Sequence, residues 1–220
     1  MNKYVLFALS LVLANPLSAQ EQPAQAIGNP PIVVEVLFGN EGYMGQMTIN
    51  KSFRSAPHFG FFSVTNMSAN WGESSTEDMM NQIHLTYQFA NGFNVLAGSH
   101  YTPITGLRPN TAIMYTYAAK SLLISVMPRI DLSANSNVEG FALVAYKPRI
   151  NENWNFYTRA QGLYCLAAKS GDHARSYLMS RAGFGYQEFL FGLGANFDAY
   201  GPAKATKNNY GIFISADIFN

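Results

Sequence analysis

Residues 79–90 read MMNQIHLTYQFA, and their alternation sets the fold. Ile83, Leu85, Tyr87 and Phe89 share one face of an extended chain, while Gln82, His84, Thr86 and Gln88 share the other. A run of this length crosses a bilayer as a tilted strand, which takes roughly 9 to 11 residues. One face suits lipid and the other a polar interior. The same period recurs at 189–200 (FLFGLGANFDAY), where Phe189, Phe191, Leu193, Ala195 and Phe197 oppose Gly192, Gly194, Asn196 and Asp198.

Extending the period outward predicts strands near 32–39, 43–53, 58–69, 79–89, 93–103, 110–118, 121–130, 138–147, 154–165, 176–186, 189–199 and 209–219. Short connections (54–57, 90–92, 119–120, 148–153, 187–188) alternate with longer ones (70–78, 104–109, 131–137, 166–175, 201–208). Bacterial barrels alternate short periplasmic turns with longer outer loops. Parity then requires a strand rising before 43–53, which IVVEVLFG at 32–39 supplies. The expectation is a single closed antiparallel transmembrane β-barrel of about 12 strands, with 10 as the alternative and both termini in the periplasm.

The N-terminus fits export. Lys3 precedes the apolar run Tyr4 to Ala14, then Pro16 and the small residues Ser18 and Ala19, the order of a secretory signal peptide. The run is too short for a retained membrane helix, which needs roughly 20 apolar residues. The expected organisation is a signal peptide at 1–20, a proline-rich periplasmic leader at 21–31 and a barrel at 32–220. Charged residues make up 12% and aromatics 14%, against roughly 25% charged in soluble proteins. A periplasmic β-sandwich would alternate similarly but carry more charge on its wetted faces. In lipid, only helices or closed barrels satisfy every backbone polar group. The net charge of +1 gives no footprint for nucleic acid, and the single Cys165 excludes an internal disulfide.

The last strand, YGIFISADIFN, sets Tyr210, Ile212, Ile214, Ala216 and Ile218 on one face and places Phe219 next to last. It resembles the C-terminal signature of bacterial outer-membrane β-barrel proteins, departing from it in Asn220, where the aromatic usually stands. That resemblance implies partners: outer-membrane lipid around the wall and the barrel-assembly machinery acting on the terminal strand.

With the more apolar face turned to lipid, the inward polar set is Glu35, Gln82, His84, His100, Arg159, Gln161, Arg181, Asp198 and Asp217. Both charge signs then enter one lumen, where they pair across strands. Tyr157, Tyr177 and Phe213 are expected to narrow it. Eight strands leave a filled interior and 16 to 18 an open channel, so about 12 suit a narrow or gated channel for small polar solutes. A second possibility is a closed barrel with a structural or surface-contact role, for which Trp71 in the loop 66–78 is the candidate contact. The third is a lipid hydrolase. Outer-membrane phospholipases and lipid A deacylases place His and Ser two residues apart on one outward face, where His deprotonates the hydroxyl. Here His84 and His100 are followed by Thr86 and Thr102 on the lumenal face, and His58 and His173 lack a hydroxyl two residues on. No catalytic residue, metal site or cofactor is therefore assigned. Glu73, Glu77 and Asp78 read as a solvated acidic loop, and the glycines of Gly183-Phe184-Gly185 and Gly192-Leu193-Gly194, which lie inside strand patterns, as small residues that relieve crowding or admit tight backbone curvature.

Overall fold

The computed structural model describes residues 29–72 and 78–218. The expected signal peptide, all but the last residues of the leader, the loop segment 73–77 and the final Phe219 and Asn220 lie outside the described residues. Twelve antiparallel strands close on themselves: β1 (Ile32–Gly39), β2 (Gly42–Phe53), β3 (Ala56–Asn70), β4 (Asp78–Ala90), β5 (Phe93–Thr102), β6 (Gly106–Ala118), β7 (Leu122–Asp131), β8 (Asn137–Tyr146), β9 (Trp154–Ala167), β10 (His173–Tyr186), β11 (Phe189–Tyr200) and β12 (Ala205–Ile218). Each pairs with its neighbours in sequence, and β1 pairs with β12 from Ile32↔Ile218 to Gly39↔Gly211. Both ends of the barrel domain therefore emerge at one rim, termed here the terminal end.

The expected strand order and number hold, but the strands outrun their expected limits at the far end. β6 begins at Gly106 rather than 110 because Pro109 sits in the ladder opposite Ser99 and uses only its carbonyl, which accepts from the Leu132 amide at 2.8 Å. β12 begins at Ala205 rather than 209 because Gly201 and Lys204, both at positive φ, turn the chain within four residues. The far-end connections 103–105 and 201–204 are consequently short. The longest described connection, 147–153, lies at the terminal end, where short turns were expected. Gly183 and Gly192 face each other in β10 and β11, and a Cβ on either would strike a carbonyl oxygen of the other strand, Phe191 or Ala182. These glycines set how closely the two strands approach.

The outer wall is apolar around its girth, with Ile83, Leu85, Ile113, Val126, Val144, Leu178, Leu193 and Ile212 all exposed. Aromatic rings border that belt. Tyr87, Phe93, Tyr115, Tyr146, Trp154, Tyr186 and Phe189 stand towards the terminal end, and Tyr43, Trp71, Tyr101, Tyr164 and Tyr210 towards the other. An apolar band between two aromatic girdles matches a bilayer and its two interfaces. Leu193, 71% exposed in mid-strand, would waste its side chain in water. Replacing it with Arg is expected to cost about 2–4 kcal/mol in lipid vesicles, the depth-dependent cost of a lipid-facing cation, measured as a shift of the urea folding midpoint. An unchanged midpoint would count against immersion of this face.

Candidate functional site: a charged lumen

The inward faces do not leave an empty tube. Leu37, Leu96, Phe213 and His84 are each 0% exposed although they project into the barrel. Two apolar clusters occupy the interior. One joins Leu37 and Met44 to Tyr157, Tyr177, Met179, Leu190 and Phe213; the other joins Phe62, Val64, Leu96, Ala112, Met114 and Met127. Tyr157, Tyr177 and Phe213 lie inside, as expected.

Ion pairs tie the walls together through this packing. Glu35 on β1 reaches past its neighbours to β9 and β10, where its Oε1 accepts from Arg159 Nη2 and Arg181 Nε, both at 2.8 Å. Arg181 Nη1 also donates to Asn196 Oδ1 at 2.9 Å, and its guanidinium lies 5.9 Å from the Phe213 ring. A single carboxylate thus holds two guanidiniums across the lumen. On the opposite side Arg129 of β7 donates to Glu139 of β8 at 2.8 Å and to Gln82 of β4 at 3.1 Å. Next to it His84 Nε2 donates to Asn110 Oδ1 at 2.6 Å, and Asn110 Nδ2 donates to His100 Nδ1 at 3.3 Å. Asp131 lies 3.5 Å from His100 and accepts from Arg108 at 3.4 Å.

The two ends carry their own clasps. At the terminal end Lys147 donates to Asp217 at 3.3 Å. At the far end Arg175 of β10 spans the barrel to Asp78 of β4, 2.7 Å away, and also donates to Asp198 at 3.0 Å. Tyr200 donates to Asp78 at 2.9 Å, its ring 4.9 Å from the Arg175 guanidinium. Beneath this bridge a cavity of about 50 Å³ lies among Met44, Met80, Met179 and Asn196. It suits a few waters and falls well short of the roughly 300 Å³ of a small-molecule pocket.

All nine inward candidates face the lumen. Glu35, Arg159 and Arg181 meet directly; Gln82, His84 and His100 share the β4–β7 network; Gln161 donates to the Tyr177 hydroxyl at 3.2 Å. Asp198 lies one strand from Arg181, as expected, but pairs with Arg175 instead. Asp78 is the clear correction. It was expected in a solvated loop, yet it opens β4 on the same face as Gln82 and His84 and holds Arg175. Arg108, Arg129, Asp131, Glu139, Lys147 and Arg175 escaped the sequence-based set. Trp71 is half exposed, but its indole donates to the Gly39 carbonyl at 2.8 Å and its ring packs against Tyr43, so it braces the β1–β2 turn.

The fold and its lining define a class, a closed transmembrane-type antiparallel β-barrel with an even strand number and a charged, filled lumen. No protein family model matches the chain, and no curated protein matches it. Among solved structures it is similar to the NanC porin, with 13% identity and a TM-score of 0.49 over 85% of this chain and 100% of that one. It is also similar to the KdgM porin, at 10% and 0.47 over 86% and 99%, and to LpxR from Salmonella typhimurium, at 7% and 0.44 over 86% and 99%.

Glu35→Ala would strand Arg159 and Arg181, both buried, without their shared counter-charge. The expected loss is about 3–5 kcal/mol, the usual cost of breaking a buried pair from one side. Glu35→Gln, which keeps an acceptor oxygen, is expected to lose less. Equilibrium unfolding of both variants in detergent micelles checks the order.

Proposed function

We propose that the protein is a narrow, gated channel of the outer membrane for small polar solutes, held closed at rest by the Glu35 clasp. The observation that supports it most is the run of polar and charged groups through the lumen, from Lys147–Asp217 at one end to Arg175–Asp78 at the other. A barrel that only had to be filled would gain as much or more from apolar side chains, because buried ion pairs are frequently neutral or unfavourable beside hydrophobic replacements. Several atoms of the clasp also keep hydrogen-bonding capacity in reserve: Glu35 Oε2, Arg159 Nε and Arg181 Nη2 are buried without a protein partner. Such atoms are suited to water or a passing polar solute. In this proposal residues 1–20 are removed on export and the terminal end faces the periplasm.

A second reading, a closed barrel serving the envelope or its surface contacts, is favoured by the two apolar clusters that occupy the rest of the lumen. Conductance separates the two. In planar bilayers the wild type is expected to open rarely, and Glu35→Gln, which weakens the hold on both arginines, is expected to raise the open probability several-fold. Absence of openings in both proteins at every voltage would remove the channel and leave the closed barrel.

A further inference from the structure

We propose that His173 and Ser176 form a nucleophilic dyad on the outer wall, directed at the carboxylic ester of a membrane lipid. His173 Nε2 lies 2.9 Å from Ser176 Oγ, and His173 Nδ1 lies 2.6 Å from the carbonyl oxygen of Gly201. A carbonyl oxygen only accepts, so Nδ1 carries the proton and Nε2 presents its lone pair to the serine hydroxyl. The tautomer is therefore that of a general base. The orienting carbonyl is itself held, since it also accepts from the Lys204 amide at 3.0 Å within the turn that begins at Gly201. Nucleophile, base and a third group that fixes the base are the elements of an activated serine.

The placement follows from one irregularity in the wall. Residues three apart on a regular strand project to opposite faces. The register of β10 against β9 shifts between His173 and Arg175, and this bulge carries His173 round to the face of Ser176. That face is the outer one. The flanking Arg175 and Tyr177 turn inward to Asp78 and Gln161, while Ser176 is partly exposed between Tyr164 of β9 and Ala199 of β11. The imidazole packs edge-on against the Tyr164 ring at 5.4 Å. Tyr164 belongs to the far-end aromatic girdle, and Leu178, one outward step deeper along β10, lies in the apolar belt. Ser176 thus sits at the junction of hydrocarbon and headgroup, the depth at which lipid esters lie. The wall beside it is open, for a Cβ on Gly140, which pairs with Tyr164, would meet nothing within 4 Å.

The chemistry balances with water as co-reactant. Ser176 Oγ bonds to the ester carbonyl carbon as its proton passes to His173 Nε2, and the Gly201 carbonyl steadies the resulting imidazolium through Nδ1–H. The tetrahedral adduct expels the alcohol oxygen of the lipid, which takes the proton from Nε2. Water, deprotonated by the same nitrogen, then cleaves the acyl-serine, and the serine oxygen recovers its proton. The products are a free fatty acid and a lipid with one fewer acyl chain.

Both kinds of ester-bearing lipid, glycerophospholipid and acylated saccharide lipid, meet this requirement. The test uses the full-length protein, folded in detergent and verified by heat-modifiable gel migration, with a fluorescent fluorophosphonate and with radiolabelled phosphatidylethanolamine or lipid A in mixed micelles. The wild type is expected to be labelled at Ser176 and to release fatty acid from at least one lipid. Ser176→Ala and His173→Ala, migrating as folded barrels, are expected to lose roughly 100-fold or more of that release, the usual scale for general-base assistance. The lipid that is cleaved identifies the substrate class. A folded wild type that cleaves neither lipid, or a Ser176→Ala protein that cleaves as fast as the wild type, overturns the proposal. Neither result depends on whether the lumen conducts.

Discussion

The pairing of β1 with β12 is the constraint on which the rest of the molecule depends. In hydrocarbon an unpaired amide or carbonyl costs several kcal/mol, so a sheet there is tolerable only without edges. Closure imposes the strict inside–outside alternation along every strand, since the side chains of a closed wall have only lipid or lumen to face. It also fixes the lumen at a width that facing side chains span. Glu35 reaches β9 and β10, and Arg175 reaches β4, because twelve strands bring opposite walls within the length of an arginine.

That width explains the mixed character of the interior. A wider barrel would wet its lining and leave the charges to water, whereas a smaller one would have no room for guanidinium groups. Here Arg108, Arg129, Lys147, Arg159, Arg175 and Arg181 pair with Glu35, Asp78, Asp131, Glu139, Asp198 and Asp217. Each such charge must find a partner because so little solvent surrounds it. Apolar side chains fill the volume between the pairs, so polarity and packing are two aspects of one closed lumen. The lumenal and lipidic faces are chemically separate, and the wall carries distinct groups on each. Arg175 and Ser176 are consecutive in sequence, yet one bridges the lumen and the other meets the bilayer boundary.

Strand number, order and nearly all strand limits were legible in the alternation, most clearly in β4 and β11, where the outward face is markedly more apolar. The same criterion located Glu35, Arg159 and Arg181. It failed where the inward face is as apolar as the outward one. In β8, Phe141 and Leu143 flank the lumen on the face of Glu139, so neither face stands out and Glu139 was missed; Arg129 was lost in the same way beside Met127 and a strand proline. Asp78 was recoverable by running the parity of Gln82 and His84 back towards the loop. The His173–Ser176 contact was not legible, because a bulge changes parity by one and leaves no composition signal in HARS.

The seam between the first and last strands ends early. Its ladder stops at Gly39↔Gly211, while β12 continues to Ala205 and β1, with eight residues, is the shortest strand. Beyond that point one backbone bond, from the Asn40 amide to the Tyr210 carbonyl at 2.9 Å, and two asparagine side chains carry the join. Asn40 Oδ1 accepts from the Tyr210 amide at 2.8 Å, and Asn209 bonds the Glu41 amide and the Gly42 carbonyl. Mechanically, the hoop of the barrel is therefore thinnest there. Circumferential tension at the far rim would fall on these side-chain amides and on the lone Asn40–Tyr210 backbone bond before it reached the continuous ladder, so tearing of the wall would start at this corner and run down between β1 and β12.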